Sequence, residues 1–234
     1  MPLSISATDR LGDRLAKADP TDEDLLLLGG LRDSHRPALE QVMSVLADHL
    51  GLEPVGRPKT NYSIIAKVRR RRTRLSRMQD IAGCRVVVDN YADQDQVVRF
   101  LLAHFEDATP DDLRKKPSNH YRAVHVMVVL DGRTVEVQVR TEWQHKWADL
   151  SEKLADKYGL PVKYGEGPVA IHSLLKSLSE KGAEMEELDN ERPTLKEDDP
   201  GRVDLDARLN TIRMDLEREI AAGLVAAERE ERPE

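Results

Sequence analysis

"VHVMVVLDGRTVEVQVRT", residues 124–141, decides the fold, because it holds two runs of alternating apolar residues on either side of Asp131 and Gly132. Alternation with a period of two is the pattern of a β-strand. An Asp-Gly pair between two such runs is the strongest short signal for a hairpin. We therefore predict an antiparallel hairpin in which residues 124–130 pair with residues 133–139 through a two-residue loop.

The two faces of this hairpin differ in chemistry, because directly paired residues share a face. One face is wholly apolar and is predicted to be core: Val124, Val126, Val128, Leu130, Val135, Val137 and Val139. The other face carries His125, Glu136, Gln138 and Arg140, and Tyr121 joins it if the strand extends backward. Such a polar face is ordinarily solvated. This combination of carboxylate, imidazole, amide, guanidinium and phenol also suits nucleotide chemistry, and both interpretations are open.

Helical patterns surround the hairpin on both sides. The segments predicted to be helical are residues 22–50 (with a weak point at Gly29-Gly30), 61–72, 92–105, 142–157, 166–190 and 203–230. Residues 84–88, "CRVVV", are predicted to be a further, buried strand that includes the single cysteine, Cys84. The fold class predicted is α+β, with a mixed, largely antiparallel β-sheet flanked by helices and with helical N- and C-terminal extensions.

Composition changes along the chain suggest its organisation. We predict an N-terminal extension (residues 1–20), a main domain (21–190), a linker (191–202) and a C-terminal amphipathic helix (203–234). The apolar residues of the final helix form one stripe: Leu205, Leu209, Ile212, Leu216, Ile220 and Leu224. Trp143 and Trp147, spaced four apart, are interpreted as packing residues. The acidic final helix is interpreted as a shield for a basic groove or as an oligomer contact.

The composition limits the class of protein. The 234 residues carry 34% charged side chains, a formal net charge of −7 and one cysteine, which excludes an internal disulfide. No stretch approaches the roughly 18 apolar residues of a membrane span, and the N-terminus lacks an apolar signal core. These features predict a cytoplasmic protein without a membrane partner.

A basic region stands out against the acidic average. Residues 56–77 hold about nine Lys or Arg and no acid, a pattern typical of an anion-binding surface. Arg57, Lys59 and Lys67 bracket a predicted helix N-terminus near Ser63, which makes a polyphosphate site credible. The arginines that follow are candidates for RNA or phosphate binding, and a solvated basic helix explains them equally well: Arg69, Arg70, Arg71, Arg72, Arg74 and Arg77.

A second cluster is suggested by acids at the strands. Asp80 comes just before the strand that carries Arg85, where a carboxylate can hold Mg²⁺ or serve as a cap or surface residue. Combined with Glu136 on another strand, Asp80 suggests a two-carboxylate magnesium site for phosphoryl-type transfer.

Four motifs in order are similar to a known family. They are "RPKTNYSIIAKV" (57–68), "MQDIAGCRVVV" (78–88), "HYRAVH" (120–125) and "VEVQVRTEWQHKWADLSEKL" (135–154). They resemble the synthetase domain of RelA/SpoT homologues, in the small single-domain form, over roughly residues 20–180. The resemblance implies an enzyme that transfers the β,γ-diphosphate of ATP to a ribose 3′-hydroxyl, usually of GDP or GTP, giving (p)ppGpp.

The resemblance also implies roles for the motif residues. Those expected to bind ATP are Arg57, Lys59, Ser63, Lys67 and Arg85. Asp80 and Glu136 are expected to hold Mg²⁺, and Glu136 to activate the attacking hydroxyl as well. Those expected on the acceptor side are Tyr121, stacked on the base, with His125, Gln138 and Arg140.

The acceptor stays open. The family usually has Gly before the motif tyrosine, where this chain has His120, and the phrase "MQDIAGCR" and the arginine run look closest to the toxic small alarmone synthetases. Some of those pyrophosphorylate the 3′-terminal adenosine of tRNA. The alternatives are therefore GDP or GTP, the tRNA 3′ end, or an inactive RNA- or nucleotide-binding module. The hydrolase signature of the family is absent, which predicts synthesis without hydrolysis. A toxic enzyme would need a separate antitoxin, and a homo-oligomer is a further expected partner state.

Overall fold

The structure is a computed structural model that describes residues 3–71, 73–158, 165, 168–196 and 199–229. Its helices are α1 (Ile5–Lys17), α2 (Asp22–Asp33), α3 (Arg36–Leu50), α4 (Asn61–Arg71), α5 (Tyr91–His104), α6 (Glu142–Tyr158), α7 (Val169–Glu191) and α8 (Pro200–Arg229). Its strands are β1 (Val55–Gly56), β2 (Ala82–Val88), β3 (Thr109–Asp112), β4 (Val124–Leu130) and β5 (Arg133–Thr141). Short 3-10 turns lie at Leu75–Arg77 and Arg192–Thr194.

The strands form one sheet in the order β1-β2-β5-β4-β3. Strand β1 pairs antiparallel with β2, with Val55 opposite Arg85 and Gly56 opposite Cys84. The predicted α+β fold class is confirmed. Strands β1 and β3 were not predicted, because two residues are too few for a pattern and "TPDD" has no apolar alternation.

The hairpin of β4 and β5 is confirmed. Its loop residues Asp131 and Gly132 have φ angles of 49° and 70°, and a type I′ turn needs positive φ at both central positions. The alternation of burial agrees with the prediction at Val124, Val126, Val128, Val135, Val137 and Val139, which are all buried. Leu130, also predicted to be core, is only half-buried at the end of β4. The buried face leaves His125 and Glu136 to project from the opposite side of the hairpin.

One compact unit runs up to Val86 and takes in Val98–Asp111 and His125–Gln138. Helices α1, α2 and α4 meet in a common apolar cluster, which includes Leu11, Leu15, Leu28, Leu31, Ile64, Val68, Leu75, Met78 and Ile81. Caps define the helix starts, since Ser4 accepts from the backbone of Ala7, and Thr21 forms a capping box with Asp24. The cluster fixes α4 and the segment that leads into β2.

The break in the first long helical segment does not lie at Gly29-Gly30, so that prediction was wrong. Helix α2 continues through both glycines, and α3 begins at Arg36 after Ser34 and His35. The chain turns here because Ser34 Oγ and His35 Nδ1 both contact the Leu31 carbonyl, at 2.6 and 2.9 Å. A proline in the first turn of α3 is tolerated, because the first backbone N–H groups of a helix have no helical partner.

The other unit consists of Val87–Val97, Asp112–Val124 and the chain from Val139 onward. Helices α6, α7 and α8 share its core, in which Trp147, Leu154, Leu175, Leu178, Leu205, Leu209 and Leu216 are buried. Both tryptophans pack as predicted: Trp147 Nε1 donates to the Leu175 carbonyl at 2.9 Å, and Trp143 lies against Gly182. Five residues of the predicted stripe on α8 pack in this core, and the side chain of Leu224 lies outside the described residues.

Residues 191–202, predicted as a linker, contain the 3-10 turn, and α8 already begins at Pro200. Residues 159–164 and 197–198 lie outside the described part of the chain. Among the helices that the structure describes, none combines the length and the apolarity that a membrane crossing requires.

The close approach of β2 to β5 gives a prediction about Gly83. A Cβ at this position would lie 2.6 Å from the backbone oxygen of Glu136, so Gly83→Ala must displace one of the two strands. We expect a loss of about 1–3 kcal/mol in the free energy of unfolding, as in overpacked cores, measured by urea denaturation.

Gly29→Ala is the matched control. A Cβ at Gly29 meets nothing within 4 Å, and the residue lies inside α2. It should gain about 0.5–1 kcal/mol, because alanine favours the helix. Equal effects of the two substitutions would contradict the packing argument.

Candidate active site

Asp80 lies between two lysines. Lys59 Nζ and Lys67 Nζ each donate to Asp80 Oδ2 at 2.7 Å. Lys59 reaches this position because its backbone N–H donates to the Ile81 carbonyl at 3.0 Å, while Lys67 projects from α4. Burial of Asp80 acts to raise the pKa of its carboxyl, but the hydrogen bonds and charges of the two lysines outweigh it and hold the pKa below its usual value.

Glu136 is the second acid of the cluster. Its Oε1 lies 3.2 Å from His125 Nδ1, and its Oε2 accepts from Gln138 Nε2 at 2.7 Å. Burial again acts to raise the pKa of Glu136, and the contacts with His125 and Gln138 more than compensate, so the pKa is lowered. Three of the four residues predicted on the polar face are thus brought together.

The two carboxylates lie close enough to repel each other, since the charge of Asp80 acts to raise the pKa of Glu136. Asp80 Oδ1 is buried, and no described side chain donates a hydrogen bond to it. Carboxylate oxygens are the ligands that Mg²⁺ prefers. The residues therefore fit a divalent cation held by two carboxylates, although the described residues contain no group of three or more acidic, histidine or cysteine ligands.

The start of α4 borders this cluster. Thr60 Oγ1 accepts from the backbone of Ser63 at 3.2 Å, which is an N-cap contact and confirms a helix N-terminus near Ser63. Arg57 is exposed and its backbone donates to the Gly83 carbonyl at 2.6 Å, while Arg85 is half-buried on β2. The unit that holds both acids therefore also carries the predicted ATP-binding residues.

Tyr121 and Arg140, in the other unit, form a pair. Arg140 Nε donates to the Tyr121 hydroxyl at 3.0 Å, and the guanidinium carbon lies 5.1 Å from the centroid of the tyrosine ring. Arg140 is only 3% exposed, while Tyr121 is half-buried, so their contact is partly shielded from water. The pair fixes the orientation of the phenol ring.

The loop before Tyr121 has a backbone that favours glycine at the position of His120. Asn119 and His120 have φ angles of 49° and 69°, in the left-handed region that favours glycine. Here the strained backbone is held by Ser179 Oγ, which donates to the His120 carbonyl at 2.6 Å and accepts from Arg122 Nε at 3.1 Å.

Comparisons with known proteins agree with this geometry. Residues 56–160 match the region found in RelA / SpoT proteins. The match covers 105 of the 234 residues of this chain. An uncharacterized protein of Mycobacterium tuberculosis is 41% identical over 116 residues, and a GTP pyrophosphokinase of Escherichia coli is 28% identical over 116 residues. Both alignments cover 48% of this chain, but only 42% and 16% of those relatives.

Solved structures share the fold. The small alarmone synthetase 1 from Bacillus subtilis bound to its product pppGpp has a TM-score of 0.55 and 27% identity, covering 70% of this chain and 95% of that chain. A second structure of that synthetase has a TM-score of 0.52 and 25% identity, covering 73% and 94%. The resemblance first seen in four motifs is therefore confirmed.

The arginine run of the RelA/SpoT region is not uniform. Arg69 binds the C-terminal end of α1: its Nε donates to the Leu15 carbonyl at 2.9 Å and its Nη2 to the Ala18 carbonyl at 2.7 Å. The side chains of Arg70, Arg71, Arg74 and Arg77 are exposed, and Arg72 lies outside the described residues. Arg69 thus has a structural contact, and binding of RNA by any of these arginines stays a prediction.

A buried acid, Glu186 on α7, was missed. Thr141 Oγ1 donates a short hydrogen bond to its Oε1, and Gln144 Nε2 lies 3.4 Å from its Oε2. The contact between Thr141 and Gln144 has a signal in the sequence, because the two residues are spaced as a capping box. The backbone N–H of Gln144 donates to Thr141 Oγ1 at 3.2 Å, and the backbone N–H of Thr141 donates to Gln144 Oε1 at 3.3 Å. Glu186 itself lies 45 residues away from Thr141, in a helix with no local motif.

The contact of Arg69 with α1 predicts a stability effect. Arg69→Ala removes hydrogen bonds to two carbonyls at the C-terminal end of α1, so we expect a loss of about 1–2 kcal/mol in the free energy of unfolding. Arg71→Ala, at the exposed end of the same helix, should change it by less than about 0.5 kcal/mol. Urea denaturation of both variants measures these free energies. An unchanged free energy of unfolding in Arg69→Ala would show that its hydrogen bonds to α1 are not stabilising.

Proposed function

We propose that this chain is a pyrophosphokinase that transfers the β,γ-diphosphate of ATP to a ribose 3′-hydroxyl, with GDP or GTP as acceptor and (p)ppGpp as product. The observation that carries the proposal is the cluster of two carboxylates, two lysines, His125 and Gln138 on a RelA/SpoT region. Support for a guanosine acceptor comes from the Bacillus subtilis structure bound to pppGpp.

In this proposal the basic side chains bind the ATP polyphosphate. Lys59 and Lys67 both contact Asp80 Oδ2. Each ammonium group has three N–H donors, so each can also donate hydrogen bonds to phosphate oxygens. The capped N-terminus of α4 near Ser63 adds backbone N–H groups that favour anions. Arg57 and Arg85 would hold the adenine end.

Asp80 Oδ1 and a Glu136 oxygen would hold Mg²⁺, which supplies charge neutralisation at the phosphates when bound. Glu136 is ionised at neutral pH, because its pKa lies below its usual value. It can therefore take the proton of the acceptor 3′-hydroxyl while that oxygen forms a bond to the β-phosphorus. The bond between the β-phosphorus and the oxygen that bridges it to the α-phosphorus breaks, and AMP leaves with this α,β-bridging oxygen.

Tyr121 would stack on the acceptor base, with its ring fixed by Arg140. His125 contacts Glu136 and orients the carboxylate, and Gln138 does the same from the other oxygen. These residues are proposed positioning groups for the acceptor hydroxyl.

A second acceptor, the 3′ end of tRNA, is favoured by one observation. Arg71, Arg74 and Arg77 are exposed near one another in the chain, as a surface that binds a phosphate backbone requires. The chemistry would be the same, with the terminal ribose of tRNA as acceptor, and a separate antitoxin would then be needed.

Loss of the acids tests the proposed chemistry. Glu136→Gln keeps the shape of the side chain and removes its charge, so we expect transfer from γ-³²P-ATP to fall by about 10²–10⁴-fold. Asp80→Asn should also abolish most of the activity. Glu106→Gln, on an exposed turn, is the matched control and should leave the rate unchanged. Full activity in Glu136→Gln would show that Glu136 is not needed for the reaction. A biological effect of the protein that persists in both Glu136→Gln and Asp80→Asn would favour an inactive binding module.

The acceptor is decided by offering GDP, GTP and deacylated tRNA in parallel. If tRNA is the acceptor, the triple variant Arg71→Gln/Arg74→Gln/Arg77→Gln should bind it about tenfold or more weakly, because phosphate contacts dominate the affinity. The same variant should use GTP as well as the unchanged protein does. Label on a guanosine nucleotide alone would reject the tRNA alternative.

A further inference from the structure

The second unit contains a cavity that the proposed chemistry does not use. Its volume is about 360 Å³, within the size range of pockets that hold small organic molecules. Trp143, Met185, Leu216 and Ile220 form apolar walls, and Glu186 contributes a carboxylate. The helices α5 and α6 contribute their first turns to the rim, while α7 and α8 line the sides.

Glu186 is the buried charge of this cavity. Its side chain is 6% exposed, and burial raises its pKa to about 7 despite hydrogen bonds from Thr141, Tyr91 and Gln144. The carboxyl group therefore changes its charge close to neutral pH. A buried acid poised in this way, inside a cavity, is a common sign of a binding site.

The charged groups around Glu186 are mostly acidic on the cavity side. The rim carries four acids and two bases: Asp89, Glu142, Asp189, Glu217, Lys146 and Arg213. Both bases are already paired, since Arg213 Nη2 lies 2.8 Å from Asp189 and Lys146 Nζ lies 3.6 Å from Glu142. The cavity mouth is therefore net negative and would repel an anion.

On its other side Glu186 faces His120 and Arg122, which line a smaller hollow with it. The charge of Arg122 lowers the pKa of Glu186, and the pKa of His120 is itself lowered, chiefly by burial. The hydroxyl of Tyr91 has a raised pKa and stays neutral near pH 7. Glu186 thus faces the cavity with a pKa that burial raises to about 7.

We propose that this cavity binds a small organic cation, an amine or guanidinium group on an apolar stem, with Glu186 as its anionic partner. The apolar stem would pack against Trp143 and Ile220, where an aromatic face also favours a cation. A metal ion fits poorly, because the described residues nowhere bring together three acidic, histidine or cysteine ligands. The cavity shares no residue with the set proposed for phosphate transfer, so the inference does not depend on that proposal.

The probe is phenethylguanidine, whose guanidinium stays charged over the whole pH range, with phenethylurea as its uncharged isostere. Binding is measured by calorimetry on the full chain. If the ionised carboxylate is the partner, the affinity should be about tenfold higher at pH 8 than at pH 6, because the ionised fraction rises from about one tenth to nine tenths around a pKa of 7. Phenethylurea should bind more weakly and without this pH dependence.

Two variants decide the role of the carboxylate. Glu186→Gln keeps hydrogen bonding without the charge, and should weaken binding of phenethylguanidine at pH 8 by tenfold or more and remove its pH dependence. Glu187→Gln, the exposed neighbour on α7, should behave like the unchanged protein. If Glu186→Gln does not fold, Ile220→Trp, which fills the cavity from α8, should block binding instead.

Several outcomes overturn the proposal. Absence of binding to the folded protein at millimolar phenethylguanidine would show that the cavity has no such ligand. Equal binding by the unchanged protein and by Glu186→Gln or Ile220→Trp would place the probe elsewhere. Equal affinity for phenethylurea would mean that the charge of the ligand is not recognised.

Discussion

The compensation of two buried negative charges is the constraint on which the first unit depends. A carboxylate removed from water costs several kcal/mol unless hydrogen bonds and opposite charges replace the lost solvation. Asp80 receives two ammonium groups on one oxygen, and Glu136 receives an imidazole and an amide. Lys67 comes from α4, Lys59 from the loop before it, and His125 from β4, while Gln138 shares β5 with Glu136. Helix α4 and the β4–β5 hairpin must therefore be in place before both acids are stable.

The same physics has the opposite result at Glu186. Its partners are hydroxyls and an amide, which carry no full charge, and Arg122 acts on it only through its field. Desolvation therefore prevails and the pKa rises, whereas at Asp80 and Glu136 the charged or polarised partners prevail and the pKa falls. Acids with lowered pKa remain ionised and suit metal and phosphate chemistry at neutral pH. An acid with a raised pKa suits a site whose charge is to change.

The hairpin and the polar face could be predicted from the sequence because both follow from local rules. Alternation fixed which side chains share a face, and Asp131-Gly132 fixed the register by its turn type. The role of Arg69 could not be predicted in this way, since its carbonyl partners lie 54 and 51 residues away on α1. In the sequence it looks identical to Arg71, and both side chains are exposed, so only the hydrogen bonds of Arg69 to the end of α1 distinguish the two. Glu186 was missed for the same reason.

The position of His120 shows how such tertiary contacts replace a local rule. A left-handed φ of 69° is easy for glycine and unfavourable for histidine, because the Cβ crowds the backbone. Ser179 and Arg122 hold the loop by hydrogen bonds, which offset the cost of this backbone conformation for histidine. Ser179 lies on α7, in the same helix as Glu186. The orientation of Tyr121 is therefore tied to the packing of α7, and a substitution that shifts this helix should change the orientation of the tyrosine ring.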